Sequence, residues 1–233
     1  MVSFTSNLGP DCEAFAIFVN EKYRYKNKGN ILPDSTIQKI NSFINVLKVK
    51  KRKEEIRSFD ISSEQKCFII KLKEKYSDYY PQEIGGSFLS YIKKYRDINK
   101  VEFYADSLDV DKDKLVKFFP KFILGFYLKS YTFNKYKTLD KETVNKKIDF
   151  RIISTNKEKI EKNYKYYDAI KEGVFLTRDL VSEPPNVLSP KVYVDEIKKL
   201  SKLGLNIKAY NEKELKKLGL NALLGVGLGS ANE

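Results

Sequence analysis

The sequence predicts an α/β protein in which helices cover both faces of a mainly parallel or mixed sheet. Short apolar runs typical of buried strands alternate with segments whose apolar residues recur every three or four positions. A long helical pattern without proline then follows, from Asn156 to Val181. Beyond it, new helix and strand patterns indicate that a second module begins.

The composition is that of a globular protein. The chain has 233 residues, of which 42% are hydrophobic, and 44 basic against 31 acidic residues give a formal net charge of +13. No leader pattern and no apolar run of about 18 residues is found, so we expect a cytoplasmic protein that does not enter the membrane. Cys12 and Cys67 lie in apolar runs, where a thiol behaves as a small buried hydrophobe. There is no histidine, which excludes a serine hydrolase triad in its usual form.

Four elements are predicted in the first part of the chain. The unbroken apolar run Cys12–Val19 indicates a strand buried on both faces. The segment Pro33–Leu47 carries apolar residues at helical spacing. Two further runs, Glu54–Ile61 and Cys67–Leu72, are typical of strands.

The same alternation continues toward residue 155. Helical patterns cover Pro81–Arg96 and Lys112–Tyr127, and Pro120 should interrupt the second of them. Strand patterns cover Val101–Ala105 and Lys146–Ile153. The predicted N-terminal domain therefore comprises residues 1–155.

A long helix should follow this domain and end at a proline pair. At about 1.5 Å per residue, the pattern Asn156–Val181 would extend nearly 40 Å. Pro184 and Pro185 end it, because a residue before proline avoids the helical region and proline donates no N–H. Ser189 and Pro190 then provide an N-cap and a first helical residue.

The second module should contain both helices and strands. The helix after Ser189 should bury Tyr193, Ile197 and Leu200 and end at Gly204. The run Leu205–Tyr210 is predicted to be a strand. A short helix follows, in which Asn211 and Glu214 form a capping box. The apolar run ALLGVGLG, residues 222–229, is also predicted to be a strand.

Two features are candidates for contact with an anion or with nucleic acid. The first is a basic cluster formed by Lys48, Lys50, Lys51, Arg52 and Lys53, for which a solvated turn is the favoured interpretation. The second is the pair Gly85 and Gly86, whose N–H groups could face a phosphate if they opened a helix. Close packing of a helix on the sheet explains these small residues equally well. The glycines in GVGLGS, residues 225–230, imitate a dinucleotide fingerprint, but close packing is again favoured.

Three stretches resemble the cytosol (leucyl) aminopeptidase family. GVFLTRDLVSEPPNVLSP, residues 173–190, is similar to the family's run RDLVNEPANVLTP at the end of a linker helix. NEKELKKLGLNALLGVGLGSANE, residues 211–233, is similar to its phrase LGMGALLGVGQGS. Residues 119–137 resemble the passage at the end of its N-terminal domain.

The resemblance implies a domain organisation and roles for several residues. It implies a three-layer N-terminal domain similar to macro domains, a linker helix over residues 156–183, and the beginning of a metallopeptidase domain over residues 184–233. Its domain-junction motif comprises Arg178, Glu183, Pro184, Pro185 and Asn186. Arg178 and Glu183 would hold the helix end, while the prolines fix a bend and Asn186 braces the turn.

The resemblance also implies chemistry that this stretch does not carry. Family members release N-terminal residues, often leucine, from peptides with two divalent ions, Mn, Zn or Mg, and assemble as homohexamers. Their ligands lie in phrases like VGKGITFDTGG and NTDAEGR, and neither phrase occurs in the 233 residues. We therefore expect no metal ligands and no activity in this segment alone. The alternative is a noncatalytic α/β module that binds nucleic acid or ligands resembling ADP-ribose.

Overall fold

The computed structural model describes residues 2–7, 9, 12–27, 31–50, 54–138 and 148–229. It divides into two compact units, residues 1–173 and 174–233. No helix of the described chain is long and apolar enough to cross a membrane.

The first unit is built on a six-stranded sheet in the order β1-β6-β5-β2-β4-β3. The strands are β1 (Val2–Thr5), β2 (Ala14–Val19), β3 (Ile56–Asp60), β4 (Lys66–Lys71), β5 (Lys100–Tyr104) and β6 (Asp149–Ile153). All neighbouring strands run parallel except β3, which is antiparallel to β4. The predicted mixed sheet is therefore confirmed.

Helices pack on both faces of this sheet and complete three layers. They are α1 (Asp34–Val49), α2 (Tyr80–Ile92), α3 (Lys112–Ser130) and the long α4 (Lys157–Ser182). The larger core contains residues of α2, α3 and the start of α4, whereas α1 packs against the other core. Every residue of β2 is buried, as its unbroken apolar run predicted.

The closest helix contact in this unit is between α2 and α3. A Cβ atom at Gly85 would lie 2.1 Å from the carbonyl oxygen of Phe122, and one at Gly125 would lie 1.9 Å from that of Gln82. Neither position has space for a side chain, so the backbones of the two helices touch.

Pro120 does not interrupt α3, contrary to the sequence prediction. The helix runs from Lys112 to Ser130 with Pro120 inside it. Proline cannot donate to the carbonyl four residues earlier, which here belongs to Val116. The side-chain amide of Asn163, on α4, donates to that carbonyl at 3.5 Å. A neighbouring helix thus supplies a partner for the group that proline leaves unpaired.

The second unit contains three short helices after the end of α4. These are α5 (Pro190–Lys198), α6 (Glu212–Lys217) and α7 (Asn221–Gly227), with a 3-10 turn at Lys199–Leu203. Ser189 caps α5, and Asn211 and Glu214 form the predicted capping box of α6. Gly204 has a φ of 84° and ends the first helical segment as predicted.

Three sequence predictions in this unit are wrong. Leu205–Tyr210 forms neither strand nor helix, because no strand of the described unit lies beside it to pair with. Residues 222–229 are mostly helical in α7, where bonds within the segment satisfy the backbone, as between the Leu224 N–H and the Leu220 carbonyl. The stripe of Tyr193, Ile197 and Leu200 is not fully buried, since Tyr193 is exposed and both Ile197 in α5 and Leu200 in the 3-10 turn are half-buried.

Candidate functional site: the anchor of the linker helix and the junction motif

The carboxyl ends of β5 and β6 meet at a buried carboxylate, Asp106. It lies in the 3-10 turn Ala105–Ser107 directly after β5 and is 2% exposed. Ser154, directly after β6, donates its hydroxyl to one carboxylate oxygen at 2.6 Å. Thr155 donates its backbone N–H and its hydroxyl to the other oxygen, both at 2.7 Å. A buried carboxylate is stable only when it is satisfied in this way.

These bonds fix the point at which α4 begins. The Ser154 hydroxyl accepts from the N–H of Asn156 at 3.0 Å, and the Asn156 carbonyl accepts from the N–H groups of Lys159 and Ile160. The N–H of Ser154 donates to the carbonyl of Thr5 at the end of β1. We name Asp106, Ser154 and Thr155 the helix anchor, since they join the first turn of α4 to the edge of the sheet.

The next turns of α4 pack on the sheet of the first unit. Ile160 and Tyr164 are buried, and the Tyr164 ring lies 5.9 Å from that of Phe4. The Tyr164 hydroxyl donates to Asp168 at 2.9 Å, and Lys171 donates to the same carboxylate at 2.6 Å. The direction of α4 relative to the sheet is thus fixed over several turns.

The charges in this network stabilise one another. Burial works against ionised Asp168, but hydrogen bonds from Lys171 and Tyr164 hold its pKa below its ordinary value. Burial likewise works against charged Lys171, yet its bonds to Asp168 and Glu172 raise its pKa. Burial, followed by the Asp168 carboxylate, raises the pKa of Tyr164. The tyrosine therefore remains a neutral donor at physiological pH.

The junction motif lies at the far end of the same helix. Arg178 is in the last turns of α4, and the Glu183 N–H donates to the Asp179 carbonyl. The Pro184 carbonyl accepts from the N–H groups of Val187 and Leu188 at 2.9 and 3.0 Å. This turn leads directly into the Ser189 cap of α5. The roles assigned to Arg178, Glu183 and Asn186 remain predictions.

The two predicted anion candidates lie far apart in the chain. Lys48 and Lys50 are exposed at the end of α1, and the other cluster members, Lys51, Arg52 and Lys53, lie outside the described residues. Gly85 and Gly86 lie within α2, which begins at Tyr80, and not at its start. Their predicted helix-opening position is wrong, because α2 begins before Pro81 and the glycines serve the α2–α3 contact.

A second polar cluster lies deeper in the sheet. Glu102 of β5 is fully buried, binds the Arg151 guanidinium at 2.7 Å and accepts from the Gly9 N–H at 2.9 Å. Burial and the neighbouring Glu102 raise the pKa of Cys12 to about 12. Burial also raises the pKa of Cys67 well above its ordinary value. Both thiols are therefore protonated and poor metal ligands or nucleophiles at neutral pH.

The described residues do not offer a donor set for metal ions. Within them, no three His, Cys, Asp or Glu side chains are grouped so that they could hold one. A shallow surface cavity of about 550 Å³ between α1 and β3 includes Lys39, Phe43 and Phe59. None of the predicted site residues lines it.

Sequence reasoning missed the helix anchor. Asp106 is separated from Ser154 and Thr155 by nearly fifty positions in the chain. The available signal was their position directly after two predicted strands, since the carboxyl ends of parallel strands lie at one edge of a sheet.

The fold of the chain is similar to part of two solved structures. A tomato leucine aminopeptidase mutant aligns with a TM-score of 0.71 at 17% identity, over 94% of this chain and 46% of that one. The bottromycin maturation enzyme BotP in complex with Mn aligns with a TM-score of 0.63 at 17% identity, over 95% and 43%. At these identities the likeness shows the fold.

The sequence comparisons find one family repeatedly. Residues 175–233 match the catalytic domain of the cytosol aminopeptidase family. A probable cytosol aminopeptidase of Agrobacterium fabrum (strain C58 / ATCC 33970) is 41% identical over 150 residues, and one of Phytoplasma mali (strain AT) is 40% identical over 150. These matches support the assignment of the chain to the cytosol aminopeptidase family. Each of these alignments includes 63% of this chain and 29% of the relative's length.

Proposed function

We propose that this chain supplies the N-terminal domain, the linker helix and the first part of the catalytic domain of a cytoplasmic leucyl aminopeptidase. Residues 1–155, 156–183 and 184–233 would be these three parts. The observation that carries the proposal is the family match over residues 175–233, which includes the unusual junction motif. The alternative, a noncatalytic module for nucleic acid or ADP-ribose-like ligands, is not favoured by any of the matches.

In this proposal the complete protein releases N-terminal residues, preferably leucine, from peptides. Two divalent ions, Mn, Zn or Mg, would polarise the scissile carbonyl and activate water when bound. In the proposal their ligands lie outside this chain, so we assign no catalytic step to it. Its part would be structural, and six copies of the complete protein would assemble into a hexamer.

The contribution of the described residues is to orient the catalytic domain. The helix anchor holds the first turn of α4, and 26 residues of helix extend about 39 Å to the junction motif. In the proposal, Arg178 and Glu183 then fix the end of the helix on the catalytic domain. Access of peptides to the reaction centre would depend on this orientation.

The test compares the 233-residue chain with a chimera. In the chimera, the chain is joined in frame to the part of the Phytoplasma mali relative that follows the position aligned with Glu233. Each protein is assayed with leucine 4-nitroanilide after dialysis into Mn, Zn or Mg. We expect turnover by the chimera, loss of turnover in EDTA, and none from the chain alone.

Each outcome bears on a separate part of the proposal. A folded chimera that is inactive with all three metals would overturn the assigned activity. Turnover by the 233-residue chain would overturn its assignment as a noncatalytic segment. A chimera in which Arg178→Ala and Glu183→Ala leave kcat/KM unchanged would refute the role of the junction motif.

A further inference from the structure

Strand β3 forms one edge of the sheet in the first unit and pairs only with β4 on its inner side. The Glu55 carbonyl accepts from the Lys71 N–H, and the Ile61 N–H donates to the Gln65 carbonyl. Bonded and non-bonded residue pairs alternate along an antiparallel ladder. The odd-numbered residues of β3 therefore direct their backbone groups to β4, and the even-numbered residues direct theirs outward.

Ser58 and Asp60 are two of the residues whose backbone groups point outward. Within the described part of the chain, no backbone bond reaches these outward groups. Ser58 is half-buried and Asp60 is exposed. An edge strand with unpaired N–H and C=O groups can accept a further strand from another polypeptide.

Helix α1 lies along this open edge and runs antiparallel to β3. The Lys39 ammonium donates to the Ile61 carbonyl at 2.6 Å, and the Phe43 and Phe59 rings stack with their centroids 4.4 Å apart. Four residues forward on the helix, about 6 Å, thus correspond to two residues back along the strand, about 6.8 Å. The helix and the edge strand therefore stay side by side.

The space between the two elements is the shallow cavity of about 550 Å³ described above. Its apolar floor is the stacked pair of Phe43 and Phe59, each of them half-buried. The α1 residues that line its side recur every three or four positions, on one face of the helix, and are Ser35, Gln38, Ser42 and Val46. We name this cavity, together with the outer edge of β3, the edge groove.

Lysines without an acidic partner stand at both ends of the edge groove. Lys50 directly follows α1, and its N–H still donates to the Val46 carbonyl. Eleven residues of helix place Lys50 on the same face as Lys39 and about 16.5 Å from it. Neither lysine forms an ion pair with a described residue, whereas Arg57 and Asp60 of β3 are both paired within the unit. The groove thus has an apolar centre and a positive charge at each end.

We propose that the edge groove binds an extended acidic segment of a partner protein, which pairs with β3 as an additional strand. Alternate residues of a strand face the same side, so the segment presents acidic, apolar and acidic residues to α1 at positions i, i+2 and i+4. The apolar side chain packs on Phe43 and Phe59. The two carboxylates, about 13–14 Å apart along the strand, lie within reach of the flexible Lys39 and Lys50 side chains.

Charge and surface chemistry select this partner over two others. A second copy paired through β3 in a symmetric dimer would bring the lysines of both grooves together, and each chain carries a net charge of +13. A nucleic acid would meet the lysines but would leave the apolar floor and the outward backbone groups of Ser58 and Asp60 unused. The binding does not depend on the proposed peptidase activity, because every residue of the groove belongs to the first unit.

The test measures binding of two fluorescein-labelled peptides to the 233-residue chain by fluorescence anisotropy. The peptide STETFTETS places both glutamates on the same side of an extended strand as the phenylalanine. The peptide SETTFTTES has the same composition and charge but places both glutamates on the opposite side. We expect saturable binding of the first and binding about tenfold weaker, or none, for the second.

Hydrogen exchange followed by NMR tests the strand pairing itself. The outward N–H groups of Ser58 and Asp60 should exchange about tenfold more slowly when STETFTETS is bound. The Phe59 N–H, which already faces β4, should be unchanged. Binding without this alternation would show that the peptide does not extend the sheet and would overturn the proposal.

Lys50→Glu and Lys48→Glu are matched variants for the charge. Both lysines are exposed at the end of α1, but two positions separate them, so they lie on nearly opposite faces of the helix. Lys50→Glu should weaken binding of STETFTETS about fivefold, and Lys48→Glu should leave the Kd unchanged. Circular dichroism checks that both variants fold like the parent chain.

Several outcomes would overturn the proposal. Absence of binding, or equal affinity for the two peptides, would remove the pattern that the groove is inferred to recognise. Equal weakening by the two variants would show attraction to the net charge alone. Slow exchange at Ser58 and Asp60 in a dimer without peptide would assign the edge to self-association. A DNA duplex that binds more tightly than STETFTETS and is weakened only by Lys50→Glu would assign the groove to nucleic acid.

Discussion

The carboxylate of Asp106 accepts two hydrogen bonds from Thr155, one from its backbone N–H and one from its hydroxyl, both at 2.7 Å. The two residues are far apart in the chain and meet because β5 and β6 are parallel neighbours. This contact determines where α4 leaves the sheet. One buried side chain thus holds the first turn of the helix, while Ile160 and Tyr164 pack the next turns on the sheet.

Replacement of Asp106 by asparagine should destabilise the first unit by about 1–3 kcal/mol. The carboxylate of Asp106 now accepts hydrogen bonds from Ser154 and Thr155. The amide nitrogen of asparagine is itself a donor, so it would face these donors and leave buried polar groups unsatisfied. Urea unfolding followed by circular dichroism measures the loss. Hydrogen exchange at residues 155–160 should accelerate, since the first turn of α4 loses its anchor.

Asp109→Asn is the matched control for this variant. Asp109 forms a surface ion pair with Lys26, and both side chains are about 40% exposed. Exposed pairs contribute little, so the loss should stay below about 1 kcal/mol. Equal losses for the two variants would show that Asp106 does not hold the helix.

Gly85→Ala should separate α2 from α3. The added Cβ would lie 2.1 Å from the Phe122 carbonyl oxygen, a backbone atom that cannot rotate away. We expect a loss of about 1–3 kcal/mol or more, as in other overpacked cores. Thermal unfolding should show a clearly lower Tm.

Gly173→Ala is the opposite case in the same chain. Nothing lies within 4 Å of a Cβ atom at Gly173, which is inside α4. The higher helix propensity of alanine should therefore stabilise the protein by up to about 1 kcal/mol. A Gly85→Ala variant as stable as Gly173→Ala would refute the close contact between the helices.

The two thiols should make stability fall at alkaline pH. Burial, with Glu102 beside it, raises the pKa of Cys12 from 9.0 to about 12, and burial also raises that of Cys67. Below pH 9 both thiols are protonated in both states, and their contribution to stability is fully present. Between pH 9 and about 12 the unfolded chain releases protons that the folded chain keeps, so stability decreases.

The slope of the free energy of unfolding against pH is the quantity to measure. The Cys12 thiol should lower the free energy of unfolding by up to about 1.4 kcal/mol per pH unit in this range, and the Cys67 thiol should add to the decrease. Urea midpoints at several alkaline pH values should fall less steeply in a Cys12→Ala, Cys67→Ala double variant. Rapid reaction of the folded protein with a thiol reagent at pH 7.5 would contradict burial of these groups.

The amino-acid sequence determined most of the helices and strands of the first unit, although β1 was not predicted. Its apolar periodicity predicted β2 and the long α4, because the spacing of apolar residues along the sequence indicates which faces of a strand or helix are buried. The caps at Ser189 and Asn211 were also predictable, because each accepts a hydrogen bond from an N–H only three residues further along the chain. The junction motif indicated the family, since it is similar to the family's run RDLVNEPANVLTP.

Tertiary structure decided the features that depend on partners distant in the chain. Asn163 allows α3 to continue through Pro120, and Asp106 meets Ser154 and Thr155 only when the sheet forms. Leu205–Tyr210 has a strand pattern, yet a strand needs a neighbour for its backbone hydrogen bonds, and the described unit has none. A local sequence pattern indicates which side chains a segment can bury and where a helix can be capped. Strand pairing also requires a second segment beside the first, and its position is decided by the tertiary structure.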